Sequence, residues 1–214
     1  MDILQTLKDS LSFVYYYRRL LGKVILIPIS LITLLSFIEF ENTFYNFSLS
    51  LITFVIYTYV AISTHRIILI GPSSIPKSGI YIPSKRDVKF IVYTLGICIL
   101  MIPAVLLAFI PYAGAVMVLI AVFYLLGRLS LVFPAIAIDQ HLSFSDSWNN
   151  TKNYQFSMMV IVAIFPFVIS IPEKLLSYLP YTQILVNIIS LITTVFVVAA
   201  LSTAYKNINE QHNS

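Results

Sequence analysis

Arg128 is the residue with the clearest chemical potential in this chain, because it interrupts the apolar run AVMVLIAVFYLLGRLSLVFPAIAI with a further apolar stretch still to come. A guanidinium placed there costs about 2.5 to 3.5 kcal/mol on insertion scales, so it must face other helices, hold an anion or reach toward phosphate. His65 and Arg66 interrupt VAISTHRIILIG at a comparable depth, and Lys152 follows in the polar segment DQHLSFSDSWNNTKNY. Arg128, Arg66, His65 and Lys152 are therefore candidates for an anion or lipid-headgroup site, since guanidinium and ammonium groups bind phosphate. A structural reading stands beside it, in which the arginines snorkel or form ion pairs, with Asp139 and Asp146 as candidate partners. His65 alone fits a hydrogen-bonded packing residue.

Other chemistry has little to work with. No two carboxylates fall on one buried face, and no Ser-His-Asp spacing, nucleophile elbow or glycine-rich phosphate loop occurs. His65, His141 and His212 are scattered, and Cys98 is the single cysteine, which leaves neither metal-ligand spacing nor a disulfide. The expectation is no catalytic residue, no metal and no cofactor. A pI near 9.1 can suggest nucleic acid, but the bases flank apolar stretches and form no basic stripe, so no nucleic-acid partner is expected.

The elements that would position these residues are set by composition. Of 214 residues, 59% are hydrophobic and 10% charged, and mean hydropathy is +0.91; soluble domains carry about a quarter charged residues. Lipid must be the main solvent. Six apolar segments, at 20–38, 44–64, 89–110, 114–138, 156–172 and 181–204, approach the length that crosses a ~30 Å hydrocarbon core. They are apolar on every face rather than alternating, which excludes barrel strands. The expected fold is an all-α integral membrane bundle of six transmembrane helices. The segment 156–172 is the shortest and reaches across more easily if EKLLSYLP continues it.

Residues 1–19 read as an amphipathic interfacial helix: Ile3, Leu4, Leu7, Leu11, Val14 and Tyr15 recur at helical spacing, and Tyr15, Tyr16, Tyr17, Arg18 and Arg19 mark the water boundary. With acidic and polar groups first and no cleavage site, this segment is expected to be retained. Residues 20–208 form the transmembrane domain and 209–214 a disordered tail. Counting Lys and Arg in alternate loops places twelve on one side and Lys174 alone on the other, with Glu39, Glu41 and Glu173 on the poor side. Both termini should then face the cytoplasm.

IPAVLLAFIPYAGA from Ile102 aligns with IPEKLLSYLPYTQI from Ile171, so 102–138 and 171–206 read as either duplicated hairpins or a chance recurrence of Pro-Tyr turns. Tyr112 and Tyr181 would lie at the outer interface and Trp148 at the inner one. Pro28, Pro103 and Pro166 should kink the odd-numbered spans, and Ala104 with Ala108, and Ala200 with Ala204, permit close helix contacts. Ser143 and Asp146 make a capping box for a short helix containing Trp148.

His65-Arg66 with Leu69 and Gly71, the basic SKRDVKFIVY, and RLSLVFPAIAIDQ followed by LSFSDSW carry a resemblance. Together they resemble a family of bacterial multi-pass inner-membrane proteins similar to the membrane domain attached to some glycerophosphodiester phosphodiesterases. Arg128, Pro134, Asp139 and Ser147-Trp148 match an arginine, proline, acid and Ser-Trp that recur in that order. The resemblance implies a six-helix membrane module without its own hydrolase chemistry. The expected role is thus a non-catalytic multi-pass protein that binds anionic lipid, or a membrane-protein partner or second copy, at its basic rim. The alternative is a small transporter or channel with a neutral path through Thr53, Thr58, Asn187, Ser190, Thr193 and Thr194.

Overall fold

The computed structural model describes residues 1–38, 42–76 and 78–212. Glu39, Glu41 and Lys77, counted in the charge asymmetry, and 213–214 of the expected tail lie outside the described residues. Those described form helices and turns, with no strand among them. Five helical stretches are long and apolar enough to cross a membrane: Thr43–Leu69, Lys85–Phe109, Gly114–Ala137, Lys152–Ser177 and Gln183–Gln211. They mark the chain as a membrane protein.

The chain opens with α1 (Ile3–Tyr16) and α2 (Arg18–Leu35). Helix α2 takes the place of the expected first span. Its 18 residues reach about 27 Å at 1.5 Å each, but Arg18, Arg19 and Lys23 fill its first turns, which sets it apart from the five more apolar stretches. Asp2 caps α1 by accepting from the backbone N of Leu4 and Gln5. Thr6 and Ser10 are the residues of α1 that become fully buried, against the final helix, where Asn207 Nδ2 donates to Thr6 Oγ1 at 3.1 Å. Its apolar residues divide: Ile3, Leu7 and Val14 pack inward, while Leu4, Leu11 and Tyr15 face outward.

At the centre lie α3 (Thr43–Leu69) and α11 (Gln183–His212). Both are free of proline and glycine along their whole length, so nothing interrupts them. Asn42 starts α3 by accepting from Phe44 N at 2.8 Å, and Gly71 at φ +109° followed by Pro72 closes it. Ala199, Ala200 and Ala204 on α11 are fully buried, and such small residues let helix backbones approach. Hydroxyls join the pair: Tyr57 donates to Ser190 Oγ at 2.8 Å. Helix α11 runs on to His212, so 209–212, expected in the tail, are helical.

Around this pair stand two hairpins. In the first, α4 (Lys85–Leu106) turns into α5 (Gly114–Leu129), which continues through α6 (Val132–Ala137). After α7 (Phe144–Asn150), the second climbs through α8 (Gln155–Met159), a π-helical turn at Val160–Ile164, α9 (Phe165–Ile169) and α10 (Ile171–Ser177) before descending as α11. Pro166 lacks an N–H and crowds the carbonyl four residues back, which is why the turn before it widens. The turns of the two hairpins match: Tyr112 at φ +65° and Tyr181 at φ +63° both hold a left-handed backbone that non-glycine residues seldom adopt. Both side chains are fully exposed.

Candidate functional site

The end of the bundle opposite Tyr112 and Tyr181 gathers most of the charged residues, and the connection from α3 to α4 sets the positions of those at the clamp. Tyr59 OH donates to Gly79 O at 2.6 Å and receives a hydrogen bond from Tyr81 N at 3.2 Å, while the Tyr59 and Tyr81 rings stack with centroids 4.6 Å apart. Tyr81 OH donates to Asp87, and burial with that bond pushes the phenol above its ordinary range, keeping it a neutral donor. Asp87 also accepts from Ser84 N and Oγ at the start of α4. The start of α4 is thereby fixed against α3.

Asp139 sits just beyond α6 at φ +62°, a left-handed position that aspartate tolerates better than most residues. Its Oδ2 accepts from Arg66 Nη1 at 2.8 Å and from Arg86 Nη1 at 3.0 Å. Arg66 Nη1 also donates to Ala137 O at 2.9 Å, satisfying a carbonyl at the C-terminal end of α6. One carboxylate therefore ties α3, α4 and α6 together. The guanidinium of Arg86 further lies 5.5 Å from the Tyr81 ring centroid.

Beside this clamp is a cleft of about 250 Å³ lined by Lys85, Arg86, Lys89, Ile136, Asp139, Gln140 and His141. Lys85 and Lys89, four residues apart, share one face of α4. Among the described residues neither has a carboxylate at ion-pair distance, and the Asp139 carboxylate is already shared by two arginines. The cleft carries a net positive charge and has room for several waters or a small anionic group. Such a space admits an anionic group with hydrogen bonds from several directions.

Arg128 stands apart from the clamp. Near the end of α5, it is only 2% exposed, and its guanidinium carbon lies 4.4 Å from the Trp148 ring centroid. Nε and Nη1 are enclosed without a hydrogen-bond partner. The hydroxyls of Ser147 and Thr151 donate to Arg128 O at 2.8 and 3.2 Å, fastening α7 over the end of α5. Gly127, the residue before Arg128, lets α8 approach α5 closely, since a Cβ there would come within 3.0 Å of Met159 N and 3.3 Å of Met158 C.

The structure thus separates residues that the sequence groups together. Arg66 joins Asp139, whereas Arg128 reaches neither Asp139 nor Asp146 among the described contacts. Buried His65 Nδ1 shares a hydrogen bond with Ser202 Oγ at 2.7 Å, and Ser202 Oγ also lies 2.8 Å from Val198 O. Lys152 is exposed beyond α7. Asp146 accepts from Ser143 Oγ at 2.6 Å and Ser143 N at 2.9 Å in the capping box. Sequence reasoning missed Arg86, Lys85, Lys89 and His141 as site residues, although the cluster of bases at the entrance to the span expected at 89–110 was a usable signal.

The capping box gives a pH prediction. Its hydrogen bonds, first from the Ser143 hydroxyl and then from its backbone N–H, hold Asp146 below the ordinary carboxylate range. The stabilisation is therefore complete above the unfolded pKa and is lost as pH falls through the lower folded value. Trp148 emission should report α7 loosening in acid, and Asp146→Asn should remove that acid transition. An unchanged transition in the variant would place its origin elsewhere.

No family model, curated protein or solved structure matches this chain.

Proposed function

We propose that this chain is a non-catalytic multi-pass protein of a bacterial inner membrane whose basic, cytoplasmic end binds the phosphate of anionic lipids. In this reading α2 is a sixth span, both termini are cytoplasmic and α1 rests in the headgroup boundary with Leu4, Leu11 and Tyr15 toward lipid. The twelve-to-one division of Lys and Arg supports that orientation, and the resemblance to phosphodiesterase-associated membrane domains agrees with a module lacking its own chemistry. The observation that carries the binding function is the cleft of Lys85, Lys89 and His141 beside the Asp139 clamp. Arg66 acts here as a structural residue, and Lys85 and Lys89 as the contacts for lipid phosphate.

A lipid that binds the folded state stabilises it, by about 2.7 kcal/mol at a hundredfold excess over Kd. Short-chain phosphatidylglycerol should therefore raise the thermal midpoint of the purified chain, and phosphatidylcholine should not. Lys85→Gln/Lys89→Gln should show a smaller rise from its own baseline. Equal stabilisation by both lipids, or an undiminished rise in the double variant, contradicts the reading.

A further inference from the structure

Arg128 lies 14 positions after Gly114, where α5 starts, or about 21 Å along the helix at 1.5 Å per residue. In the orientation proposed above, this places it in the inner leaflet, about 9 Å short of the cytoplasmic boundary of a hydrocarbon core about 30 Å thick. A guanidinium at this depth normally finds a carboxylate, a carbonyl or phosphate. The Arg128 side chain makes no hydrogen bond or ion pair among the described residues, and two of its nitrogens are enclosed without partners. Ser130 Oγ, two residues further along, is likewise enclosed and unpartnered. The one favourable contact shown for the charge is the Trp148 ring, and a cation–π contact leaves the N–H donors unused. Unsatisfied buried groups of this kind are rare and point to an ion or water that completes them.

We propose that Arg128 and Trp148 form a second anion site, distinct from the Lys85–Lys89 cleft, in which the guanidinium donates to the oxygens of a single phosphate group. The proposal takes its membrane orientation from the reading above, but not the rim cleft, since α5 and α7 build this site and α4 and α6 build the other. Trp148 is 36% exposed and covers the charge, so the phosphate enters beside the ring. The planar fork of arginine suits phosphate oxygens in a way that a lysine ammonium does not. The same chemistry is offered by the phosphodiester of a membrane lipid and by inorganic phosphate.

Trp148 is the single tryptophan of the chain, so its emission reports on this site directly. The full chain in phosphatidylcholine nanodiscs would be compared with discs of increasing phosphatidylglycerol content, and separately titrated with inorganic phosphate. A saturable emission change is expected in at least one series; a response to phosphatidylglycerol alone identifies lipid, and a response to phosphate in phosphatidylcholine discs identifies a soluble anion. Arg128→Lys should weaken the response at least tenfold, while Lys85→Gln/Lys89→Gln should retain it. The wild type decides the matter even where a variant folds poorly: emission indifferent to both probes overturns the site. So does an Arg128→Lys response equal to that of wild type, or a response abolished by the rim variant alone.

Discussion

Asp139→Asn is expected to destabilise the folded chain by about 2 kcal/mol, because it removes the carboxylate that Arg66 and Arg86 share. The two arginine side chains are 16% and 14% exposed, against 58% for Asp139. The arginines thus lose a partner while largely cut off from water, although the open carboxylate face keeps the effect below that of a fully buried pair. Asparagine keeps the left-handed backbone accessible, so the change isolates charge from conformation. Thermal unfolding in detergent measures the loss, and a cycle with Arg86→Gln measures coupling. A neutral Asp139→Asn would show that the clamp holds α3, α4 and α6 with negligible energy.

Gly127→Val should cost more, about 3 kcal/mol, at the upper end for overpacking. A bare Cβ at Gly127 would already stand 3.0 Å from Met159 N, and the two γ-carbons of valine need further room between α5 and α8. The crowded atoms are backbone, so a side-chain rotation cannot relieve them. Gly22, in α2, supplies the contrast: a Cβ there meets nothing within 4 Å, and Gly22→Ala should stabilise by up to about 1 kcal/mol through helix propensity. If both substitutions behave alike in thermal unfolding, the close approach of α5 to α8 does not govern the packing.

These two positions show how far the sequence could be read. Helical class and the limits of most apolar stretches follow from local composition, and the Ser143-Asp146 box and Pro-Tyr turns follow from short motifs. Gly127 gave no comparable signal, because the backbone of Met159 approaches it from more than thirty residues away. Pairing was legible only in part. Asp139 was a candidate partner for either arginine, but the left-handed turn after α6 aims it at Arg66 and Arg86. The buried polar face of α1, with Thr6 and Ser10 turned inward, also departs from a simple apolar-inward pattern, because the surface it meets on α11 offers Asn207. Charges in the first turns of α2 likewise separate it from the five more apolar stretches, which composition averaged over the chain conceals.

Native mass spectrometry of protein gently extracted from its own membrane tests lipid-phosphate binding at the basic end most directly. Wild type should carry bound anionic lipid, and folded Lys85→Gln/Lys89→Gln should carry less. Folded wild type without bound anionic lipid, or equal retention by the double variant, would contradict it.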